Sequence, residues 1–354
     1  MENPRNLQNT RYCVFHDGEE HELVLYDALG EGGQGMVYAA SWDGTSVACK
    51  VCPVDHKRGT CAVQGEYYTL RGLRESVAVP NPIAMVSFPD MQMLVMERLD
   101  RSLADIMYET KRCLSEPIAL KICADVLKQL KTLHEKNLLF LDLKSNNIMV
   151  GFGEKAHTLY LVDMGCVSKL NTVHKNEGTP LFSSIACMEG KPIRACDELE
   201  SLYYLISHLM YGLPWTKHVY GRTKYTPKIF KDILAAKLLT TPESLFKTSP
   251  KMQEFVREIN NVKSGTSLLN YTKLLDLLQT DATFHWQPRS IPISIPGSSV
   301  SIMQASFDRY CVTIAPETEP IPPPQIEQLA IEVQTSGKTL EAVLLEKTRK
   351  RPPA

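Results

Sequence analysis

The chain has 354 residues, 44% of them apolar, and its 39 Lys and Arg against 40 Asp and Glu leave a net charge of −1. That length holds one large domain or two ordinary ones of soluble globular composition, and near-neutrality excludes a strong general attraction to nucleic acid or an anionic membrane. No apolar run approaches the ~20 residues of a membrane-spanning helix. Residues 1–6 lack the apolar core of a signal peptide, and ten scattered cysteines read as reduced thiols of a cytoplasmic or nuclear protein.

Residues 1–20 are polar and are expected to form a flexible N-terminal segment. From His21 to Cys52 apolar and polar residues alternate with many β-branched and aromatic members, which predicts strands. Between the first two of these lies Leu29-Gly30-Glu31-Gly32-Gly33-Gln34-Gly35, a G-x-G-x-x-G pattern. Such glycines let a hairpin lie close over phosphates, with backbone N–H groups as donors. Dinucleotide-binding folds share the pattern, but there the third glycine opens a helix. Here Met36-Val37-Tyr38-Ala39-Ala40 continues as strand and then turns at Asp43-Gly44, so the loop is a hairpin and not a Rossmann turn. Lys50, among apolar neighbours in Ser46–Val51, needs a charged partner. Glu66 is the candidate, on a short helix whose inward face includes Leu70 and Leu73. Cys49 and Cys52 form a lone C-x-x-C with no second pair, so no zinc site is expected.

With these residues the chain resembles the eukaryotic protein kinases, over about 21–286. The resemblance implies a two-lobed α+β fold. A mainly antiparallel β lobe with one helix (21–97) and a hinge (97–101) would precede a larger helical lobe (102–287). It implies that Lys50 contacts the α- and β-phosphates of ATP, that Glu66 orients Lys50, and that the loop Leu29–Gly35 covers the phosphates. Val37 and Ala48 match residues over the adenine ring. Met96 falls at the gatekeeper position, Glu97 and Leu99 offer backbone groups to the base, and Met149 completes the nucleotide-binding set.

Ser115-Glu116-Pro117 reads as a helix start. Ile118, Ile122, Val126, Leu130 and Leu133 then recur at helical spacing, which predicts an amphipathic helix to about His134. It delivers the chain to Leu139-Phe140-Leu141-Asp142-Leu143-Lys144-Ser145-Asn146-Asn147. Phosphoryl transfer needs a carboxylate to take the nucleophile's proton, a cation against phosphate charge and an oxygen ligand for Mg²⁺. Asp142, Lys144 and Asn147 supply these types and match the family's catalytic base, phosphate-contacting lysine and metal ligand. Lysine at 144 is similar to the serine/threonine kinases. Phe140 and Leu141 replace the family's His-Arg. That arginine usually pairs with an activation-loop phosphate, which leucine cannot do, so activation is expected without that phosphate. Asp163 ends an apolar strand 21 positions after Asp142 (163 − 142) in Asp163-Met164-Gly165. This resembles the Asp-Phe-Gly motif, with Asp163 a second Mg²⁺ ligand, Mn²⁺ being an alternative metal. Leu70, Met85, Phe140 and Met164 would stack as an apolar spine.

No clear Ala-Pro-Glu follows, and Met188-Glu189 is a poor copy. Gly178-Thr179 followed by Ser184-Ile185, then Asp197-Glu198-Leu199-Glu200-Ser201-Leu202 and Gly212-Leu213-Pro214-Trp215, is similar to the casein kinase 1 group, which includes the vaccinia-related kinases. Lys191 and Arg194 are the basic residues nearby, and no acidic-substrate preference is assigned to them. A buried helix is predicted from Asp197 to Tyr211 and two more between Pro242 and Leu278, one through Met252, Phe255, Val256 and Ile259, the other through Leu268, Leu269, Leu274, Leu275 and Leu278. Residues 288–354 are read as a Pro-rich linker and a tail, where 325–347 suits short helices docking on the kinase or a partner and the basic 347–351 is a solvated end, with a nuclear import signal as the alternative. The resemblance implies a serine/threonine kinase acting on proteins with ATP and Mg²⁺. A monomer is expected, and the near-neutral charge and lack of a long apolar run predict no nucleic-acid or membrane partner. Two other readings stand beside it, a pseudokinase scaffold and a kinase-like enzyme of small molecules. Thr179, Ser183 and Ser184 are candidate autophosphorylation sites.

Overall fold

Strands dominate the first hundred residues of the structure, a computed structural model that describes residues 7–32, 35–54, 62–110, 113–174, 178–219 and 225–282. β1 (Arg11–His16), β2 (Glu19–Gly32), β3 (Gly35–Trp42) and β4 (Thr45–Pro53) lead into helix α1 (Ala62–Leu73), followed by β5 (Pro82–Ser87) and β6 (Met91–Glu97). The strands form one six-stranded sheet in the order β1-β2-β3-β4-β6-β5, antiparallel throughout. Period-two alternation decides what each face sees. On β4, Val47, Cys49 and Val51 join a core of strand residues with Leu23, Leu25, Tyr38 and Val95. The intervening Ala48, Lys50 and Cys52 take the other face, where Cys52 packs with Val63, Tyr67 and Leu70 of α1.

The glycine pattern forms the expected hairpin, with Gly30 opposite Val37, Glu31 opposite Met36 and Gly32 opposite Gly35. A Cβ on Gly35 would lie 2.1 Å from the Val51 carbonyl oxygen, so only glycine fits that close approach. Gly33 and Gln34, at the tip, lie outside the described residues. Asp43 and Gly44 close the next hairpin with φ of 47° and 80°, the positive values a two-residue turn requires.

The N-terminal expectation needs correction. Residues 11–16 are a strand paired along its whole length with β2. Leu7 is 1% exposed, Val14 is buried, and Tyr12 packs on Phe88, beyond β5, at a ring distance of 5.3 Å. The sheet therefore curls, and its first strand closes over the core from the side opposite α1. Arg-Tyr-Cys-Val-Phe-His is too short and too polar to announce this by composition.

The second lobe opens with α2 (Leu103–Thr110) and α3 (Glu116–Glu135). Ser102 Oγ accepts from the Asp105 N–H while the Asp105 carboxylate accepts from the Ser102 N–H, a reciprocal cap on α2. Ser115 stands at the cap position of α3 as expected, although its hydroxyl makes no bond to the helix. Short strands follow: β7 (Leu138–Leu139), β8 (Ile148–Val150), β9 (Leu159–Leu161) and β10 (Ser168–Lys169). β7 pairs with β10 and β8 with β9. Then come α4 (Ile185–Glu189), α5 (Ala195–Tyr211), α6 (Pro227–Leu238), α7 (Pro242–Leu245), α8 (Pro250–Lys263) and α9 (Tyr271–Leu277). Thr226-Pro227, Thr241-Pro242 and Ser249-Pro250 each start a helix with a capping hydroxyl and a proline at the first turn.

α5 is the pillar of this lobe. It is buried on nearly every side, and its buried set includes the acids Asp197, Glu198 and Glu200. Each acid needs a partner in such surroundings. The last predicted pattern shortens: Asn270 caps α9, so Leu268 falls outside the helix and is 92% exposed. The linker and tail, 288–354, lie outside the described residues. Among the described residues no helix is long and apolar enough to cross a membrane.

Candidate active site

Lys50 reaches its site from the α1-facing side of β4. Its Nζ lies 2.6 Å from Glu66 Oε2 and 2.9 Å from Asp163 Oδ1. Burial disfavours the ammonium, but the two carboxylates outweigh it and raise the Lys50 pKa above the usual lysine range. Glu66 is 3% exposed, and burial pushes its carboxyl up against the opposing pull of Lys50. Asp163 adopts the left-handed conformation, φ 63° and ψ 66°. It bonds Lys50 while the next residue, Met164, enters the core at 2% exposure. Leu70, Phe140 and Met164 belong to the large buried core cluster, and Met85 packs against that cluster.

The catalytic-type loop is held from below by α5. Glu198 Oε1 accepts from the N–H groups of both Phe140 and Leu141 at 2.7 Å, and Oε2 lies 2.7 Å from His134 Nε2. The other ring nitrogen of His134 meets the Tyr271 hydroxyl on α9. This support matters because Leu141 has φ 68°, a left-handed value that costs a bulky residue about 1–3 kcal/mol. Directly above, Asp142 is 6% exposed and takes four bonds. Oδ2 accepts from Lys144 Nζ at 2.6 Å and Asn147 Nδ2 at 3.0 Å, and Oδ1 from Thr179 N–H and Oγ1 at 3.0 Å each. Gly178 comes close enough for this only without a side chain, since a Cβ would stand 2.9 Å from the Leu141 carbonyl oxygen.

The remaining expected nucleotide contacts are spread over the strands of the first lobe, β8 and the segment after β6. Val37 lies on β3, Ala48 on β4, and Leu29, Gly30, Glu31, Gly32 and Gly35 along the β2–β3 hairpin. Met96 and Glu97 end β6, Leu99 follows at 7% exposure, and Met149 on β8 bridges to Ser102. A family model of the protein kinase domain matches residues 23–267. The chain belongs to the protein kinase family.

Membership in that family implies ATP and Mg²⁺, and the donor set fits them. Asn147 uses both amide hydrogens on Asp142, at its carbonyl and Oδ2, which leaves its own Oδ1 as an oxygen ligand. Asp163 adds a carboxylate whose side chain is 41% exposed. Carboxylate and amide oxygens are the ligands a hard dication takes.

This kinase departs from the common pattern at Leu141, and the structure fills the gap with apolar contacts. Leu141 and Leu170 pack against Leu139, Cys187 and Ile193. The segment after β10 is also stapled to the stretch after α4, through Asn171 N–H to the Ile193 carbonyl and Ile193 N–H to the Thr172 carbonyl. Glu189 pairs with Lys191 at 2.6 Å and Arg194 with Asp197 at 3.0 Å, so both nearby basic residues are already compensated. The three hydroxyls considered for autophosphorylation are engaged. Thr179 bonds Asp142, Ser183 donates to the Thr179 carbonyl, and Ser184 caps α4.

Glu198 and His134 were not legible as site residues in the sequence, and Thr179 was read there only as a candidate phosphorylation site. The available signal was an acid inside an apolar helix, Asp197-Glu198-Leu199, which demands a buried partner.

Proposed function

We propose that this protein kinase transfers the γ-phosphoryl group of ATP to serine and threonine hydroxyls of protein substrates, in the manner of the casein kinase 1 group. The convergence of Lys144, Asn147 and Thr179 on Asp142 carries the reading. Asp142 accepts the proton of the attacking hydroxyl, and Lys144 steadies the transferring group beside it. Lys50, oriented by Glu66, binds the α- and β-phosphates. Asn147 and Asp163 would hold Mg²⁺, which would supply positive charge to the phosphate oxygens. The protein's contribution is positioning and preorganised charge.

The test is incubation with γ-labelled ATP, Mg²⁺ and casein, beside a parallel set with small hydroxylated metabolites as acceptors, followed by phosphoamino-acid analysis. Label on serine or threonine is expected. Label confined to tyrosine, or transferred only to small hydroxylated metabolites, sinks the assignment. A second arm uses protein pretreated with phosphatase. The apolar packing of Leu141 supports retention of activity there, and a near-complete loss would show that a phosphate is needed after all.

A further inference from the structure

Lys237 is a buried cation that none of the roles above uses. It lies on α6 at 2% exposure, and among the described residues no carboxylate forms an ion pair with it. Glu200 favours its charge through space but is itself bonded to Lys263 and Tyr204. Burial pulls the Lys237 pKa down to about 7. The ammonium sits over the rings of Tyr204 and Trp215, 4.7 and 5.2 Å from their centroids. Its hydrogens go to two backbone carbonyls, Pro180 at 2.8 Å and Ser183 at 2.5 Å.

Those carbonyls belong to one tight turn. Phe182 N–H, Ser183 N–H and Ser183 Oγ all donate to the Thr179 carbonyl, at 2.9, 3.0 and 3.1 Å. Trp215 Nε1 donates to the Leu181 carbonyl at 2.9 Å. The turn begins at Thr179, whose N–H and hydroxyl both reach Asp142 Oδ1. A fixed path thus runs from α6 through the turn to the carboxylate. We propose that Lys237 is a positioning residue for phosphoryl transfer, clamping the turn of Thr179–Ser183 so that Thr179 holds Asp142 in register with the acceptor hydroxyl. The inference rests on the kinase reading above and adds how its base is held.

Lys237→Met removes the donor of the Pro180 and Ser183 carbonyls, so it is expected to lower the thermal midpoint. Loss of a merely structural lysine would do no more than that. Loss of the clamp also lowers kcat of the folded protein, since a misplacement of about 1 Å can cost about a hundredfold. KM for ATP is expected to stay within about twofold, because the nucleotide contacts are untouched. Thr179→Ala and the double variant complete a cycle. Acting through one contact, the two losses do not multiply.

Unchanged kcat in Lys237→Met, or losses that multiply in full, overturns the proposal. If the methionine variant does not fold, Lys237→Leu, which likewise carries no donor for the two carbonyls, enters the same cycle under the same criteria, while Lys237→Arg, which keeps donors for them, is expected to retain turnover. Amide hydrogen exchange across 179–183 reads the clamp without turnover. Faster exchange there in the variant, with α5 unchanged, supports it, and unchanged exchange overturns it. A wild-type protein that labels no acceptor would refute the function proposed above, and the exchange result then decides the clamp alone.

Discussion

Asp142→Asn is expected to lower kcat by about 10²–10⁴-fold, the range lost with a general base, while nucleotide still binds. Asparagine has nearly the same shape, so the site stays built around it. Its oxygen can still accept from Thr179. The amide nitrogen, however, would face Lys144 and Asn147, which donate to Oδ2 in the native site. Two donors then meet a third, and Lys144 is released from its 2.6 Å contact. The substitution therefore removes the proton acceptor and loosens the cation beside it. Turnover with casein and nucleotide affinity by thermal shift separate these effects from unfolding. A drop in kcat smaller than tenfold, with affinity intact, would remove Asp142 from the role of base.

Lys50→Met should abolish measurable turnover and also destabilise the fold by about 3–5 kcal/mol, the cost of stranding one member of a buried ion pair. The stranded group is Glu66, whose side chain is 2% exposed. Its carboxyl is already pushed upward by burial and opposed by Lys50. Without the lysine it rises further. A carboxyl whose folded pKa exceeds its unfolded value favours folding below the unfolded pKa, and that contribution is lost as pH rises through the folded pKa. The variant should thus lose most stability at neutral and alkaline pH and recover part of it in mild acid. Lys50→Met combined with Glu66→Gln should regain stability at neutral pH without regaining turnover. Thermal midpoints across pH for the three proteins test this. A double variant as unstable as Lys50→Met would show that the pair's electrostatics are not the cause.

The parts of the site legible in the sequence were those whose chemistry forces a residue type at a fixed spacing. Lys50 stood out as a charge in an apolar strand, and Asp163 as an acid ending one; the structure joins them at 2.9 Å. The supports were hidden because their partners are remote in sequence. Glu198 serves backbone groups 58 and 57 residues away, and Lys237 serves carbonyls 57 and 54 residues away. No local pattern marks a side chain whose partner is a backbone carbonyl. The sheet was legible from β2 onward for the same reason that β1 was not. β2 to β4 alternate over long spans, whereas β1 is a six-residue edge strand with a single fully inward residue, Val14.

That edge strand bears on where the chain can be cut. The stretch matched by the family model begins at residue 23, beyond β1. A protein trimmed to that boundary would lose Leu7 and Val14 from over Leu23 and Leu25. It would also remove Glu19 to Glu22 and leave Leu23 and Val24 without the strand they pair with. Bare strand edges beside uncovered apolar surface recruit other strands. A preparation made to the conventional domain limit should therefore tend to precipitate, and one that keeps the residues from Leu7 onward should remain in solution.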